Sequence, residues 1–370
     1  MALPQFGERD EELVLGVLRR GFLSLGPMIE RFEREFAEWL GVDDAVAVSS
    51  GTAALHLGVR LNGWGAGDEV VTTPLTFVAS SNCLLYEGAT PVFCDVDPDT
   101  LTIDPAAARA ALGERTVGIL PVHIFGYPAA MRELSELAAD RRLELLEDAC
   151  QAPGAADSDG IAVGARGDPS AFAFYGNKQL VTGEGGILVP GSEEGATLAR
   201  SERNQGRDLQ MRSLVHERLG FNYRMTEMSA AVGIAQLERL DELLESRRRV
   251  AGWYTARLDG VEGLRLPLAD RPPERRSWFV YAVQLPDGVD REGVIGALAD
   301  AGIASKPYLP CIHLFPDYRE RFGFRGGEFP VAERYSRRAL ALPFFPSMTE
   351  GQVDRVTITL AAAMGQPAPA

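Results

Sequence analysis

Between about residues 45 and 190, short apolar runs alternate with helical patterns, and this alternation constrains the fold more than any other feature of the chain. Strands are expected over 45–49, 69–72, 91–96, 117–122, 143–147, 171–175 and 186–189. Helices are expected over 53–61, 78–86, 105–112 and 129–141. Apolar strands separated by helices of about ten residues make a mostly parallel, seven-stranded sheet, because parallel neighbours need a crossover and the crossover helices bury both faces. The fold class is therefore α/β. Ligands of such sheets gather where the strands end, at their carboxyl edge.

Further along, 226–258 reads as one helix, with apolar residues at Met228, Ala231, Ile234, Leu237, Leu240 and Leu244. A Pro-rich segment at 267–273 follows, then an alternating strand over 277–285 and helical patterns at 291–301, 330–340 and 349–363. At 370 residues the chain exceeds one compact core, so two domains are expected. They are a large domain over 1–245 and a smaller C-terminal α+β domain over 246–370.

A net charge of −15 opposes binding to nucleic acid or to an anionic membrane, and any phosphorylated ligand then needs a local basic pocket. Cys83, Cys94, Cys150 and Cys311 form no CxxC pair, and the four histidines have no metal-ligand spacing, so no metal is expected. The opening residues lack a basic region followed by an apolar run, and no stretch reads as a membrane span, which places the chain in the cytoplasm.

Of 37 lysines and arginines, only Lys178 and Lys306 are lysine. Arginine cannot lose its proton and attack a carbonyl, whereas a desolvated lysine amine can. Lys178 lies in the glycine-flanked, nearly uncharged stretch Ala171-Phe-Ala-Phe-Tyr-Gly-Asn-Lys178-Gln-Leu-Val-Thr-Gly-Glu-Gly-Gly186. Three more strand ends carry suggestive residues. Ser49-Ser-Gly51-Thr52-Ala53-Ala54 is a small-residue turn into a helix, able to offer amides to a phosphate or simply a Ser/Thr cap. Thr72-Thr-Pro-Leu-Thr-Phe77 presents one aromatic, a stacking face or a core residue. Glu147-Asp148 puts two acids at the end of a buried strand, where each needs a partner. Taken in order, a phosphate turn, a ring-stacking aromatic, a carboxylate for a ring nitrogen and an imine-forming lysine are the requirements of pyridoxal phosphate.

The chain closely resembles the DegT/StrS-type sugar aminotransferase family, whose members have the fold-type-I pyridoxal-phosphate architecture. The resemblance runs from roughly 15 to 360 and rests on several segments. They include Gly26-Pro-Met-Ile-Glu-Arg-Phe-Glu, Ser50-Gly-Thr-Ala-Ala-Leu-His-Leu, Pro121-Val-His-Ile-Phe-Gly-Tyr-Pro and Glu147-Asp-Ala-Cys-Gln-Ala-Pro-Gly. Others are Gly176-Asn-Lys-Gln-Leu-Val-Thr-Gly-Glu-Gly-Gly, Gly220-Phe-Asn-Tyr-Arg-Met and Pro307-Tyr-Leu-Pro-Cys-Ile-His-Leu.

The resemblance implies the cofactor pyridoxal 5'-phosphate, with its pyridoxamine form carrying the amino group. It implies that Lys178 is the Schiff-base lysine, that Asp148 binds the pyridine nitrogen, and that Gln151 lies near the ring hydroxyl. Phe77 falls on the stacking aromatic, and Gly51, Thr52 and Ala53 on the phosphate turn. Asn222 falls on an asparagine that reaches the phosphate of a second subunit, which implies a homodimer with shared active sites. The family's phosphate-binding serine, five residues before the lysine, is replaced here by Ala173, which shifts attention to Asn177. Tyr308 and His313 fall near the sugar pocket; Lys306, Arg203, Arg207, Arg212 and Arg224 are candidate diphosphate contacts.

The Gly-Asn-Lys version resembles the perosamine-synthase branch, which aminates carbon 4 of a nucleotide-linked 4-keto-6-deoxy sugar with an amino-acid donor, glutamate by implication. Amination at carbon 3, or a non-catalytic regulatory relative, are the alternatives. Retention of Lys178 opposes the family's dehydratases, which have histidine there. The absence of GxGxxG after the first strand opposes a nicotinamide-dependent oxidoreductase.

Overall fold

The computed structural model describes residues 4–208 and 215–367. Two helices not anticipated from sequence come first, α1 (Glu8–Arg20) and α2 (Pro27–Leu40). The alternating region follows: β1 (Val46–Val48), α3 (Gly51–Leu61), β2 (Glu69–Thr72), α4 (Ala79–Tyr86), β3 (Thr90–Phe93), α5 (Pro105–Ala111), β4 (Thr116–Ile119) and α6 (Met131–Arg141). Then come β5 (Glu144–Leu145), β6 (Glu147–Asp148), β7 (Ser170–Ala173), β8 (Gly186–Val189) and α7 (Glu193–Arg203).

These strands pair in the orders β3-β2-β4-β5 and β6-β7-β8-β1. β5 and β6 are halves of one strand interrupted at Leu146: Leu146 N–H donates to Ile119 O (3.2 Å) and Asp148 N–H to Pro121 O (2.9 Å). The result is a seven-stranded sheet, parallel except for β8, as expected. β1, β7 and β8 are buried almost throughout, which is why they read as apolar runs rather than as alternating strands. On one face α2 presents Phe32 and Phe36 edge-on to Phe174 (5.5 Å) and Phe172 (5.2 Å). Each such buried ring contributes roughly 1.5–3 kcal/mol of transfer free energy.

The expected single helix over 226–258 is two, α8 (Glu227–Leu237) and α9 (Leu240–Leu258). The break is at Arg239 (φ −126, ψ 17), whose guanidinium bonds Asp10 Oδ2 at 3.0 Å, while Glu238 pairs with Arg9 and Arg31. These contacts turn the chain onto α1, and apolar spacing carries no trace of them. The boundary expected at 245/246 falls inside α9. Leu240 and Leu244 of that helix pack with the α2 core, whereas Val250, Tyr254 and Leu258 pack with Tyr281, Val283 and Leu340.

The rest of the chain comprises β9 (Tyr281–Gln284), α10 (Arg291–Asp300), β10 (Lys306–Pro307), α11 (Pro316–Phe322), α12 (Pro330–Arg338), β11 (Ala339–Leu342) and α13 (Glu350–Ala363). β10, β11 and β9 form an antiparallel sheet. The helix expected to reach 340 ends at Arg338. Ala339-Leu-Ala-Leu is a buried strand whose residues have little strand propensity of their own, so pairing with β9 determines it.

Candidate active site

Gly51, Phe77, Asp148 and Lys178 follow β1, β2, β6 and β7, so the sheet collects them at its carboxyl edge. α3 starts where β1 ends because Ser50 caps it, Oγ accepting from Ala53 N–H at 3.1 Å. That bond commits the Ala53 amide, leaving those of Gly51 and Thr52 to face an anion at the positive end of the helix. Gly51 is required sterically. A Cβ built there would lie 2.5 Å from Ala173 Cβ and 3.0 Å from Cys150 Sγ. Ala173 therefore closes against the helix start, where a larger side chain has less room.

The two acids of β6 have separate roles because successive side chains of a strand face opposite ways. Glu147, fully buried, accepts from Gly164 N–H (3.1 Å) and meets His123 Nε2 at 2.9 Å. Ala129 N–H donates to His123 Nδ1, so the Nε2 proton belongs to the bond with Glu147. Asp148 takes Ser80 Oγ–H on Oδ2 at 2.6 Å and Cys150 N–H on Oδ1 at 3.1 Å. Thr76 Oγ1 extends this chain to Ser80 at 2.9 Å. Asp148 is buried, yet among the described residues no cation lies within ion-pair distance of it.

Lys178 sits in a tight loop. Its N–H donates to Tyr175 O (2.9 Å), and Gln179 Nε2 donates to Gln151 O (2.7 Å) and Ser277 Oγ (2.9 Å). The Lys178 amine lies 4.4 Å from the centre of the Phe279 ring. Desolvation holds its pKa below the ordinary lysine value, against the opposing pull of Cys150 and Asp148. A lysine so placed is more readily neutral and nucleophilic.

The DegT/DnrJ/EryC1/StrS aminotransferase family model matches residues 4–361. The chain belongs to this family. It is 38% identical over 368 residues to the spore coat polysaccharide biosynthesis protein SpsC of Bacillus subtilis (strain 168), covering 96% of this chain and 94% of that protein. It is 37% identical over 363 residues to the GDP-perosamine synthase of Caulobacter vibrioides, covering 97% and 96%. The crystal structure of S. venezuelae DesV superposes with a TM-score of 0.88 at 37% identity, over 94% of this chain and 92% of that one. The chain is thus a pyridoxal-phosphate-dependent sugar aminotransferase with the fold-type-I architecture.

The residues of this aminotransferase fit the cofactor. Phe77 is 60% exposed at the sheet edge, an aromatic face that the chain's own core does not cover. The Oδ1 of Asn177 is buried without a partner and needs a donor, so a phosphate could be met only by the Nδ2–H groups of this residue. Gln151 is oriented by its Oε1, which accepts from Phe125 N–H at 2.9 Å. Asp148 offers a carboxylate with no resident cation, suited to a protonated ring nitrogen.

Among the residues expected to bind substrate, Lys306 and Tyr308 line one cavity with Asn177, Ser305 and Phe279, the ring that the Lys178 amine also meets. His313 is elsewhere. It is fully buried, its Nε2 meeting Glu333 at 3.2 Å, against Phe329 and Phe324, and it does not line this cavity. Arg203 is committed to Glu33 and Ala47 O, and Arg224 to Asn204 Oδ1 at 3.0 Å. Arg207 pairs with His216 along the backbone. Arg212 lies outside the described residues. Asn222 is exposed. Ser80, Gln179 and Phe279 are site residues that sequence reasoning missed. For Ser80 the only local signal was its place one helical turn after Phe77.

Proposed function

We propose that this enzyme transfers the amino group of an amino acid, glutamate, to carbon 4 of a nucleotide-linked 4-keto-6-deoxy sugar. The reading is carried by one observation. A lysine amine with depressed basicity shares the sheet edge with a buried, cation-free aspartate, in a chain 37% identical to a GDP-perosamine synthase along nearly its whole length.

Pyridoxal phosphate, when bound, supplies the electron sink that makes the donor's α-proton removable. The chain's residues do the rest. Asp148, oriented by Ser80 and the Cys150 amide, would face the ring nitrogen. The Gly51 and Thr52 N–H groups, with the Nδ2–H groups of Asn177, would hold the phosphate, and Phe77 would offer a stacking face to the ring. Gln151 sits at the ring hydroxyl. Lys178 Nζ would hold the cofactor. When free, that amine would take the proton from the donor's α-carbon as general base and deliver it as general acid to the cofactor carbon that carries the amino nitrogen. The same groups run in reverse on the keto sugar. Lys306 and Tyr308 face the incoming sugar nucleotide.

The working unit is a homodimer that shares its sites. Supporting this are the exposed Asn222 and an apolar surface on and after α1, where Phe22 is 65% exposed beside Leu18, Leu23 and Leu25. No helix among the described residues is long and apolar enough to cross a membrane, and we place the enzyme in the cytoplasm, serving polysaccharide or amino-sugar synthesis.

The test is a panel of nucleotide-linked 3-keto and 4-keto sugars with glutamate, the product read by mass and by NMR at the aminated carbon. Amination of a 4-keto sugar supports the reading; product only from 3-keto sugars, or none from any, overturns it.

A further inference from the structure

Arg247 of α9 is a fully buried guanidinium, and no carboxylate among the described residues lies within 4.0 Å of it. A buried cation without a counter-ion is costly, by several kcal/mol even after relaxation, and chains retain one where it does something a neutral residue cannot. Burial holds its pKa down to about 10, so it remains protonated at neutral pH.

Its donors point at main-chain oxygens from two segments distant in sequence. Nη2 donates to Lys178 O at 3.2 Å, and Nη1 is shared between Phe279 O (3.3 Å) and Trp278 O (3.4 Å). The guanidinium also lies 5.6 Å from the centre of the Phe344 ring, which lines the cavity holding Lys306 and Tyr308. Lys178 and Phe279 are the two residues whose side chains meet at 4.4 Å. One side chain therefore grips both halves of that contact from behind, through their carbonyls. A lysine in its place is a compact point charge and could not span both carbonyls as the planar fork does.

We propose that Arg247 is a positioning residue for the reactive lysine: by clamping the main chain of residues 178 and 278–279 together, it keeps the Lys178 amine over the Phe279 ring and out of water. The inference rests on the reading of Lys178 as the reactive amine. Among the described residues the amine is faced by Phe279, Cys150 and Asp148, while Arg247 bonds the main-chain carbonyl of Lys178. Loosening the clamp admits water, and removing the guanidinium also removes a like charge. Both changes favour the ammonium form.

The chain has only two lysines, which makes the test direct. The full-length protein, freed of cofactor with hydroxylamine, is pulse-labelled with formaldehyde and borane across pH. Methylation at residues 178 and 306 is read by peptide mass spectrometry, the exposed Lys306 serving as internal reference. In the unsubstituted protein the Lys178 midpoint is expected below the ordinary lysine value of 10.5. In Arg247→Met it climbs toward Lys306 by a unit or more, about tenfold less neutral amine at a fixed pH below both midpoints, and in Arg247→Lys it climbs part of the way. Circular dichroism establishes that each variant is folded. Should Arg247→Met fail to fold, the charge-retaining Arg247→Lys decides alone. An unchanged gap between the two midpoints in a folded variant overturns the proposal, because a side chain that merely fills space would leave that gap intact. Turnover of Lys178→Ala is measured alongside. Activity there would remove the catalytic reading of Lys178 while leaving the labelling result to stand by itself.

Discussion

The hydroxyl of Ser80 is the most informative place to perturb the site without touching a group that reacts. Its bond to Asp148 Oδ2 is 2.6 Å long, with Ser80 fully buried and Asp148 nearly so. A buried hydrogen bond to an ionised acceptor contributes roughly 1.5–3 kcal/mol, against about 1 kcal/mol for a neutral pair. Ser80→Ala should therefore lower stability by about 1.5–3 kcal/mol in urea melts at neutral pH. Asp148→Asn alone replaces the charged acceptor with a neutral one. In Ser80→Ala/Asp148→Asn the missing hydroxyl then costs only about 1 kcal/mol, so the double-mutant cycle should show a coupling of roughly 0.5–2 kcal/mol. The same cycle on cofactor dissociation should show a coupling of the same sign, because a poorly held carboxylate is a poorer partner for the ring nitrogen. Additivity within about 0.3 kcal/mol would refute the reasoning, since independent effects mean that Ser80 does not hold the carboxylate.

Three further outcomes are expected. Phe77→Ala, which removes an aromatic face the core does not use, should weaken cofactor binding by about tenfold, roughly 1.4 kcal/mol, with the melting temperature of the cofactor-free protein unchanged; loss of that melting temperature would reassign Phe77 to packing. Gly51→Ala should cost about 1–3 kcal/mol through overpacking against Ala173 and Cys150. Ala173→Gly in the same chain should recover part of it, and no recovery would place the clash elsewhere. Lys178→Met should stabilise the cofactor-free protein, because the folded-state pKa lies below the ordinary value of 10.5. Between those two values the unfolded chain binds more protons, so stability rises with pH there. The gain from Lys178→Met is then fullest below the folded-state pKa and falls away as pH rises toward 10.5, which urea melts across pH would show; a gain independent of pH would contradict the desolvation account.

Much of this was legible in the sequence because it is written locally. Apolar runs mark parallel strands buried on both faces, and the scarcity of lysine singled out Lys178. The strand-end turns at Gly51, Phe77 and Asp148 fall on one sheet edge because right-handed parallel crossovers return every strand in the same direction. What stayed hidden depends on partners far along the chain. Ser80 meets Asp148 across 68 residues and Arg247 meets Lys178 across 69, and neither leaves a local pattern. Likewise the break between α8 and α9 is set by contacts with α1, and β11 exists through pairing with β9. His313 sits in a segment aligned with the sugar pocket, but nothing in its neighbours announced the Glu333, Phe324 and Phe329 that bury it.

Covalent attachment at Lys178 is the claim on which the account turns, and peptide mass mapping tests it most directly. The protein is incubated with pyridoxal phosphate, reduced with borohydride and digested. The reduced cofactor should be found on the peptide containing Lys178, with loss of the band at the visible edge and none on Lys306. A cofactor adduct confined to Lys306, or a bound cofactor that borohydride fixes to neither lysine, would contradict it.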